Sequence, residues 1–249
     1  MSAPAPTAHA ISAMTAMELR LTARRGENLL VTIVIPAVVL VFFASVSILP
    51  ATVGRPVDFL LPGSIALAII ATSLVNLGIA TAYERHYGVL KRLGGSPLTR
   101  TSLLVSKTAA VVVVEVVQIV VLVAIAVGLL GWRPILGAPL ALVPGALILG
   151  TAAFAGLGLA MAGGLRAEAT LALANGLFLA FLLLGGIVIP LDHLPGPLAA
   201  LGSLLPAAAL TDLLRAALGG SGDVVRATAV LVAWAVGAIT VAARTFAWE

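Results

Sequence analysis

Long uncharged stretches alternate with short polar segments along the chain. Five stretches contain no Asp, Glu, Lys or Arg: 28–54, 59–83, 134–165, 169–191 and 227–243. A sixth stretch, 108–132, contains a single charged residue, Glu115. A spanning helix needs about 20 apolar residues, and backbone polar groups cannot stay unpaired in hydrocarbon. The pattern therefore predicts an all-α polytopic membrane protein with six transmembrane helices in one domain, 1–249. The predicted spans are 28–50, 60–83, 103–130, 136–164, 168–190 and 224–245.

The stretch between the fifth and sixth predicted spans has a different composition. It is uncharged over 193–211 but contains Pro195, Pro197 and Pro206. A proline inside a helix removes a backbone hydrogen bond and costs about 3 kcal/mol. We therefore predict that 192–220 forms short re-entrant helices at the outer side, sheltered by protein, rather than a seventh span.

Composition supports lipid as the solvent. The chain is 61% hydrophobic and 10% charged, with a mean hydropathy of +1.18, whereas soluble domains carry about 25% charged residues. The formal net charge is +4, but the basic residues are scattered between apolar stretches, so membrane orientation explains them better than nucleic acid does. The absence of cysteine excludes disulfides and thiolate metal sites.

The distribution of basic residues predicts the orientation. With six spans and the N-terminus inside, ten Lys and Arg residues lie on the inner side and four on the outer side, in agreement with the positive-inside rule. Both termini are then cytoplasmic. Ahead of the first span, Ile11, Met14, Met17 and Leu21 fall near one helical face, which predicts an interfacial helix at 10–26. The alternative is a plain cytoplasmic extension of the first span.

A polar segment separates the second and third predicted spans. Residues 84–100 read ERHYGVLKRLGGSPLTR. Tyr87 and Leu90 recur at helical spacing, and the two glycines at 94–95 are a strong stop signal. Ser96 and Pro97 suit the N-cap and first position of the next helix. The segment thus predicts a short amphipathic cytoplasmic helix at 84–95, which either serves as a handle for a partner protein or is an ordinary charged loop that fixes topology.

This segment resembles the signature of type-2 ABC transporter permeases. The matching positions are Glu84, Arg85, Gly88, Leu90, Leu93, Pro97 and Lys107. The chain differs at His86, where the family usually has Glu, and at Ser106, where it often has Gly. A second stretch matches the family pattern at Gly185, Pro190, Leu194, Pro195, Leu205, Pro206 and Arg215. The chain is similar to the short daunorubicin and multidrug-resistance exporters of actinobacteria.

The resemblance implies a mechanism. Two permease chains, identical or related, would pair in a bacterial inner membrane and bind two ABC ATPase subunits. The helix at 84–95 would be the coupling helix that the ATPase grips, and ATP would drive export of a hydrophobic drug, antibiotic or lipid-like substrate. The residues assigned to ATPase coupling are Glu84, Arg85, Tyr87, Gly88, Leu90, Leu93 and Pro97.

Catalytic and metal chemistry have little support in the sequence. A P-loop needs glycine before its lysine, and neither Lys91 nor Lys107 has one. We therefore expect no enzyme activity and no cofactor in this chain, with ATP and magnesium bound by the ATPase partner. The histidines, His9, His86 and His193, are too far apart to suggest a metal site.

Three polar residues fall inside the predicted spans. Asn76 lies in the second span, while Glu115 and Gln118 share one face of the third. An acidic residue at this depth normally faces protein or water. The three could line the cargo path or the dimer seam, or they could form a structural clasp between helices. If Glu115 carried protons, an ion-coupled secondary transporter would be the alternative function.

Overall fold

The computed structural model describes residues 7–24, 26–46, 55–95 and 99–245, and these form helices joined by turns, without a strand. The helices are α1 Thr7–Arg24, α2 Gly26–Ser45, α3 Pro56–Ile70, α4 Leu77–His86, α5 Val89–Gly94, α6 Arg100–Gly128, α7 Leu142–Gly164, α8 Ala167–Leu184, α9 Gly196–Gly202, α10 Pro206–Ala217 and α11 Val224–Thr245. A π-helical segment, Ala71–Asn76, joins α3 to α4 without a break, and a short 3₁₀ turn, Leu191–His193, precedes α9.

The continuous helix Pro56–His86 forms the centre of the bundle. Nearly every residue of α3 is buried, because α2, α6, α7 and α10 all pack around it. Backbones approach closely where this helix crosses α7. A Cβ atom added at Gly78 would lie 3.0 Å from the Cα of Gly158, and one at Gly158 would lie 2.8 Å from the carbonyl oxygen of Leu74. The central helix is therefore held tightly at its π-helical segment.

The helices confirm a polytopic membrane fold. Five are long and apolar enough to cross a bilayer: Pro56–His86, Arg100–Gly128, Leu142–Gly164, Ala167–Leu184 and Val224–Thr245. A bent pair, α9 with α10, would raise the count to six. The predicted span at 28–50 corresponds to α2, whose apolar part, Leu30–Ser45, is shorter, and 47–50 lies outside the described residues. A count of exactly these six spans therefore stays a prediction.

The proline-rich stretch is broken, as its sequence predicts. Helices α9 and α10 meet at an angle of 76°, and Pro206 is at the first turn of α10. Arg215 of α10 joins this stretch to the bundle, since its guanidinium lies 4.3 Å from the ring centre of Phe59 and donates to Gly186 O at 3.0 Å. A re-entrant path through the membrane remains a prediction.

The predicted single helix at 84–95 needs a correction. Helix α4 ends at His86, a turn follows at Tyr87 and Gly88, and α5 begins at Val89. Gly88 has φ +70°, a left-handed conformation that glycine adopts without strain and that interrupts a helix. Glu84 and Arg85 thus belong to the end of the central helix.

The start of the third predicted span also differs from expectation. Helix α6 begins at Arg100, and its N-cap is Thr99, whose Oγ1 accepts from the amide of Ser102 at 3.1 Å. Ser96 and Pro97, to which the sequence analysis gave the N-cap and first positions, lie outside the described residues.

Candidate functional site

A buried lysine joins three helices at one end of the bundle. Lys107 of α6 is 3% exposed, and its Nζ lies 2.8 Å from Oε1 of Glu18 in α1 and 2.7 Å from Oε2 of Glu84 in α4. Removing a lysine from water is unfavourable unless carboxylates pair with it. These three residues, the Lys107 cluster, therefore fix α1 and α4 against the first turns of α6.

Helix α1 also contacts α6 through its backbone. Ser106 Oγ lies 3.3 Å from Ile11 O, and Thr15 Oγ1 donates to Ser106 O at 3.4 Å. Since Ser106 is completely buried, a small side chain at this position allows the two helices to approach. A helix is thus present where the sequence predicts one at 10–26, packed against this end of the bundle, while its position in the membrane interface stays a prediction.

The predicted ATPase-coupling residues divide into buried and exposed groups. Leu90 is completely buried and packs with Met14 and Leu103, with Leu93 partly buried beside them. Tyr87, in contrast, is 68% exposed. Within this chain Leu90 anchors the turn, and Tyr87 is the large side chain that the turn presents.

Arg85 attaches the end of the central helix to α7. Its guanidinium donates to the carbonyl oxygens of Gly163 and Leu165. The last carbonyls of a helix have no partner within the helix, so an arginine there both satisfies them and interacts favourably with the helix dipole. Leu90 and Arg85 therefore fix the turn at Gly88 from two sides.

A second polar cluster lies two helical turns further along α6. Glu115 is completely buried, and Thr151 Oγ1 of α7 donates to its Oε2. Gln118, 1% exposed, accepts from Thr72 Oγ1 at 2.9 Å and donates to Thr32 O at 3.2 Å. We call Thr72, Glu115, Gln118 and Thr151 the Glu115 cluster. It connects α6 to α2, to α7 and to the π-helical segment.

The third predicted member of this cluster lies elsewhere. Asn76 is half-buried and lines a cavity on the α1 side, whereas Glu115 and Gln118 do not line that cavity. Thr72 is the residue of the central helix that reaches Gln118. The sequence analysis missed Thr72 because threonine is common inside spans and carries no charge signal.

The cavity has a volume of about 430 Å³, within the usual range for small-molecule sites. It lies between α1, the central helix, the turn at Gly88 and α6. Its lining residues are Glu18, Leu21, Thr22, Thr72, Asn76, Leu77, Ile79, Ala80, Tyr83, Glu84, Tyr87, Val89, Lys107, Ala110, Val111 and Val114. The Lys107 cluster thus forms the charged part of a mainly apolar cavity.

Two residues of the Lys107 cluster were missed as site residues. Lys107 appeared only as a motif match, and Glu18 appeared only as a charge beside the apolar face of the predicted interfacial helix. Because 89 residues separate Glu18 from Lys107, no spacing rule relates them. Among the described residues, no group of His, Cys, Asp and Glu could hold a metal ion.

Five or six apolar helices, tied together by buried polar clusters, define a polytopic membrane protein. A family model for ABC-2 type transporters matches residues 9–218. The chain belongs to this family, and the resemblance noted from residues 84–107 is confirmed. It is a membrane subunit of an ABC-type transporter, a class that works in association with an ABC ATPase. No curated protein matches the chain.

Proposed function

We propose that this chain is the membrane-spanning subunit of an ATP-driven exporter in a bacterial inner membrane, with both termini in the cytoplasm. It pairs with a second permease chain, identical or related. A separate ABC ATPase binds ATP and magnesium and docks on the turn between α4 and α5. The substrate is a hydrophobic drug, antibiotic or lipid-like molecule.

The observation that carries the docking proposal is the exposed Tyr87 on a firmly anchored turn. A large aromatic side chain, 68% exposed, is a suitable anchor for a groove in a partner protein. Tyr87 stacks on Tyr83, with ring centres 6.0 Å apart, so its orientation is restrained before a partner binds. Exposed Lys91 and Arg92 on α5 add a basic edge beside it.

The anchors make this turn suitable for transmitting movement. A push on Tyr87 acts on the end of the central helix, which Arg85 connects to α7 and Glu84 connects to α6 and α1 through Lys107. Since the central helix packs against α2, α6, α7, α8 and α10, displacement of its end alters packing across the bundle. The ATPase can in this way change the arrangement of the spans without contacting them.

Co-purification with candidate ABC ATPases of the host tests the docking. Tyr87→Asp should reduce the recovered ATPase at least about tenfold, because it removes an aromatic anchor from the interface. Leu136→Asp is the matched control, since Leu136 is fully exposed in the segment between α6 and α7, beyond the end of α6 opposite to Lys107. Equal ATPase recovery with both variants would contradict the docking proposal.

A transport assay tests the energy source. In vesicles that contain the permease and its ATPase, movement of a fluorescent hydrophobic drug should require ATP and stop when the ATPase is inactivated. It should proceed toward the side opposite the ATPase. Transport that continues with inactive ATPase and follows an imposed ion gradient would reject the proposal.

One observation favours a second candidate, an ion-coupled secondary transporter that uses Glu115. Its Oε1 has no hydrogen bond among the described residues. The hydroxyl of Ser73 lies beside the carboxyl group but donates to Ile69 O. A buried carboxyl group with one unsatisfied oxygen could carry a proton. Family membership favours the first candidate. Secondary transporters usually carry several ionisable groups within the membrane, whereas Glu115 is the one completely buried acid among the described residues.

A further inference from the structure

The cavity beside the Lys107 cluster has the composition of a ligand site, and the proposed coupling role gives it no function. Its walls are mainly apolar, with Leu77 and Val111 on facing helices. Among its described lining residues, the charged ones are Glu18, Glu84 and Lys107, and these three meet at one place. A ligand that fits such a space has an apolar body and a single polar head.

The charge of the Lys107 cluster indicates whether the polar head of the ligand is positive or negative. Two carboxylates face one ammonium group, so the cluster has a formal charge of −1. Each carboxylate pairs with Lys107 through one oxygen, Oε1 of Glu18 and Oε2 of Glu84, and each has a second carboxylate oxygen besides. These two oxygens can accept hydrogen bonds from, or pair with, a cationic group. An anionic head would meet repulsion.

Two aromatic rings complete the same part of the cavity. Tyr83 and Tyr87 both line it, and their rings are stacked with an angle of 26° between their planes. The face of a tyrosine ring attracts ammonium and quaternary ammonium groups through its negative quadrupole. The carboxylates and the aromatic faces therefore both favour a ligand with a positively charged head group. The apolar walls favour a hydrophobic body.

We propose that this cavity binds a lipophilic monovalent cation, with an amine or quaternary ammonium head between Glu18, Glu84 and the two tyrosines. The apolar part of the ligand lies along Leu77 and Val111. One bound positive charge neutralises the −1 of the cluster without breaking either ion pair of Lys107. The proposal does not depend on the direction of transport or on the identity of the exported substrate.

Calorimetric titration with two probes of opposite charge tests the proposal. The full chain in dodecyl maltoside micelles, whose head groups carry neither an amine nor a quaternary ammonium group, is titrated with octyltrimethylammonium and with octyl sulfate, which share an eight-carbon chain. Heats measured with empty micelles are subtracted, because both probes partition into detergent. We expect saturable binding of the cation, at one site per chain, and none of the anion. Equal binding of both probes would overturn the proposal.

Two substitutions locate the bound cation. Glu18→Gln removes one charge from the cluster and should weaken cation binding at least about tenfold. The matched control is Glu168→Gln, which removes an exposed carboxylate at the start of α8, outside the cavity, and should leave binding unchanged. Ala80→Leu fills the cavity without altering its charge and should also reduce binding about tenfold or more.

The unfolding midpoint of each variant shows whether it is folded. If Glu18→Gln is unstable, the Ala80→Leu variant and the anionic probe still decide the outcome. Cation affinity unchanged in both Ala80→Leu and a folded Glu18→Gln would reject the site. Failure of this test leaves ATPase docking at Tyr87 unaffected, because docking is measured by co-purification.

The ligand could come from the cytoplasm or from the membrane, and a lipid competition distinguishes these sources. The titration is repeated in dodecyl maltoside micelles that contain phosphatidylethanolamine, a lipid with an amine head. Weaker apparent binding of octyltrimethylammonium there identifies a lipid amine as a competitor for the site. Unchanged binding identifies a free amphiphile. Both results support the same recognition chemistry.

Discussion

Helix α6 carries two polar clusters that differ in how they compensate buried polar groups. Lys107 and Glu115 are eight residues apart, or about 12 Å along the helix axis. The Lys107 cluster neutralises an ammonium group with two carboxylates and borders a cavity. The Glu115 cluster contains one acidic residue, which has no basic partner in the described structure, and relies on hydroxyl and amide hydrogen bonds.

Position in the bundle explains the difference. Near the end of α6, the carboxylates of Glu18 and Glu84 retain 14% and 15% exposure, so water stabilises part of their charge. Glu115 has no exposed surface. An ionised acid near the middle of a membrane is costly, whereas a neutral carboxyl group needs only hydrogen bonds. The comparison indicates that charge is essential in the first cluster and dispensable in the second.

The largest expected effect is the loss of the lysine. Lys107→Ala leaves Glu18 and Glu84 facing one another without a counter-charge, which should lower the free energy of unfolding by about 3 kcal/mol or more. Thermal unfolding of the purified chain in detergent measures this change. Lys91→Ala, at an exposed site on α5, should have an effect within about 0.5 kcal/mol. Equal stability of the two variants would show that the ion pairs do not hold the helices.

Removing one hydrogen-bond partner from the Glu115 cluster should lower the free energy of unfolding by less than removing Lys107 does. Thr151→Val keeps the shape of the side chain but removes the hydroxyl that donates to Glu115, so a buried carboxyl oxygen loses its partner. The expected cost is about 1–3 kcal/mol, measured by the same unfolding assay. Thr240→Val is the control, because Thr240 is exposed and bonds only within its own helix. If Thr151→Val lowered the free energy of unfolding by more than Lys107→Ala does, the Glu115 cluster would be the more important of the two for stability.

Much of the fold could be predicted because lipid imposes simple rules. Uncharged stretches of sufficient length identify four of the five long apolar helices, and the stretch with the single charge of Glu115 identifies the fifth. The prolines around Pro206 identify the bend between α9 and α10. The interruption at Gly88 could not be predicted, since glycine also occurs inside many helices of this chain. The π-helical segment Ala71–Asn76 has no distinctive composition, and the sequence does not reveal that Gly158 packs closely against it.

The candidate sites were predictable only in part. An acid inside a span is unusual enough to single out Glu115, and helical spacing adds Gln118. Their partners, Thr151 and Thr72, are uncharged and come from other helices, so only the packed structure brings them together. The same holds for Glu18 and Lys107, which the fold places 2.8 Å apart.

A smaller effect is expected at the turn that connects the Lys107 cluster to the surface. Gly88→Ala places a Cβ in open space, so its cost arises only from the left-handed backbone and should be about 1–2 kcal/mol. Gly95→Ala is the control, because Gly95 has φ −79°, an ordinary value for alanine. Unfolding midpoints that fall equally for both variants would show that the backbone at Gly88 is not special.

The smallest expected effect on stability belongs to Glu115→Gln, which also decides between the two transport mechanisms. Glutamine keeps an oxygen that accepts from Thr151, and a neutral amide is no harder to bury than a protonated acid. The unfolding free energy should therefore change by no more than about 1 kcal/mol.

Drug transport by Glu115→Gln in the vesicle assay should continue with ATP. The amide can make the same contact with Thr151 as the acid, and ATP-driven export does not require the proton that only the acid can carry. If transport stopped while the variant remained folded and still bound the ATPase, a titrating Glu115 would be required. The two clusters of α6 would then both act through charge.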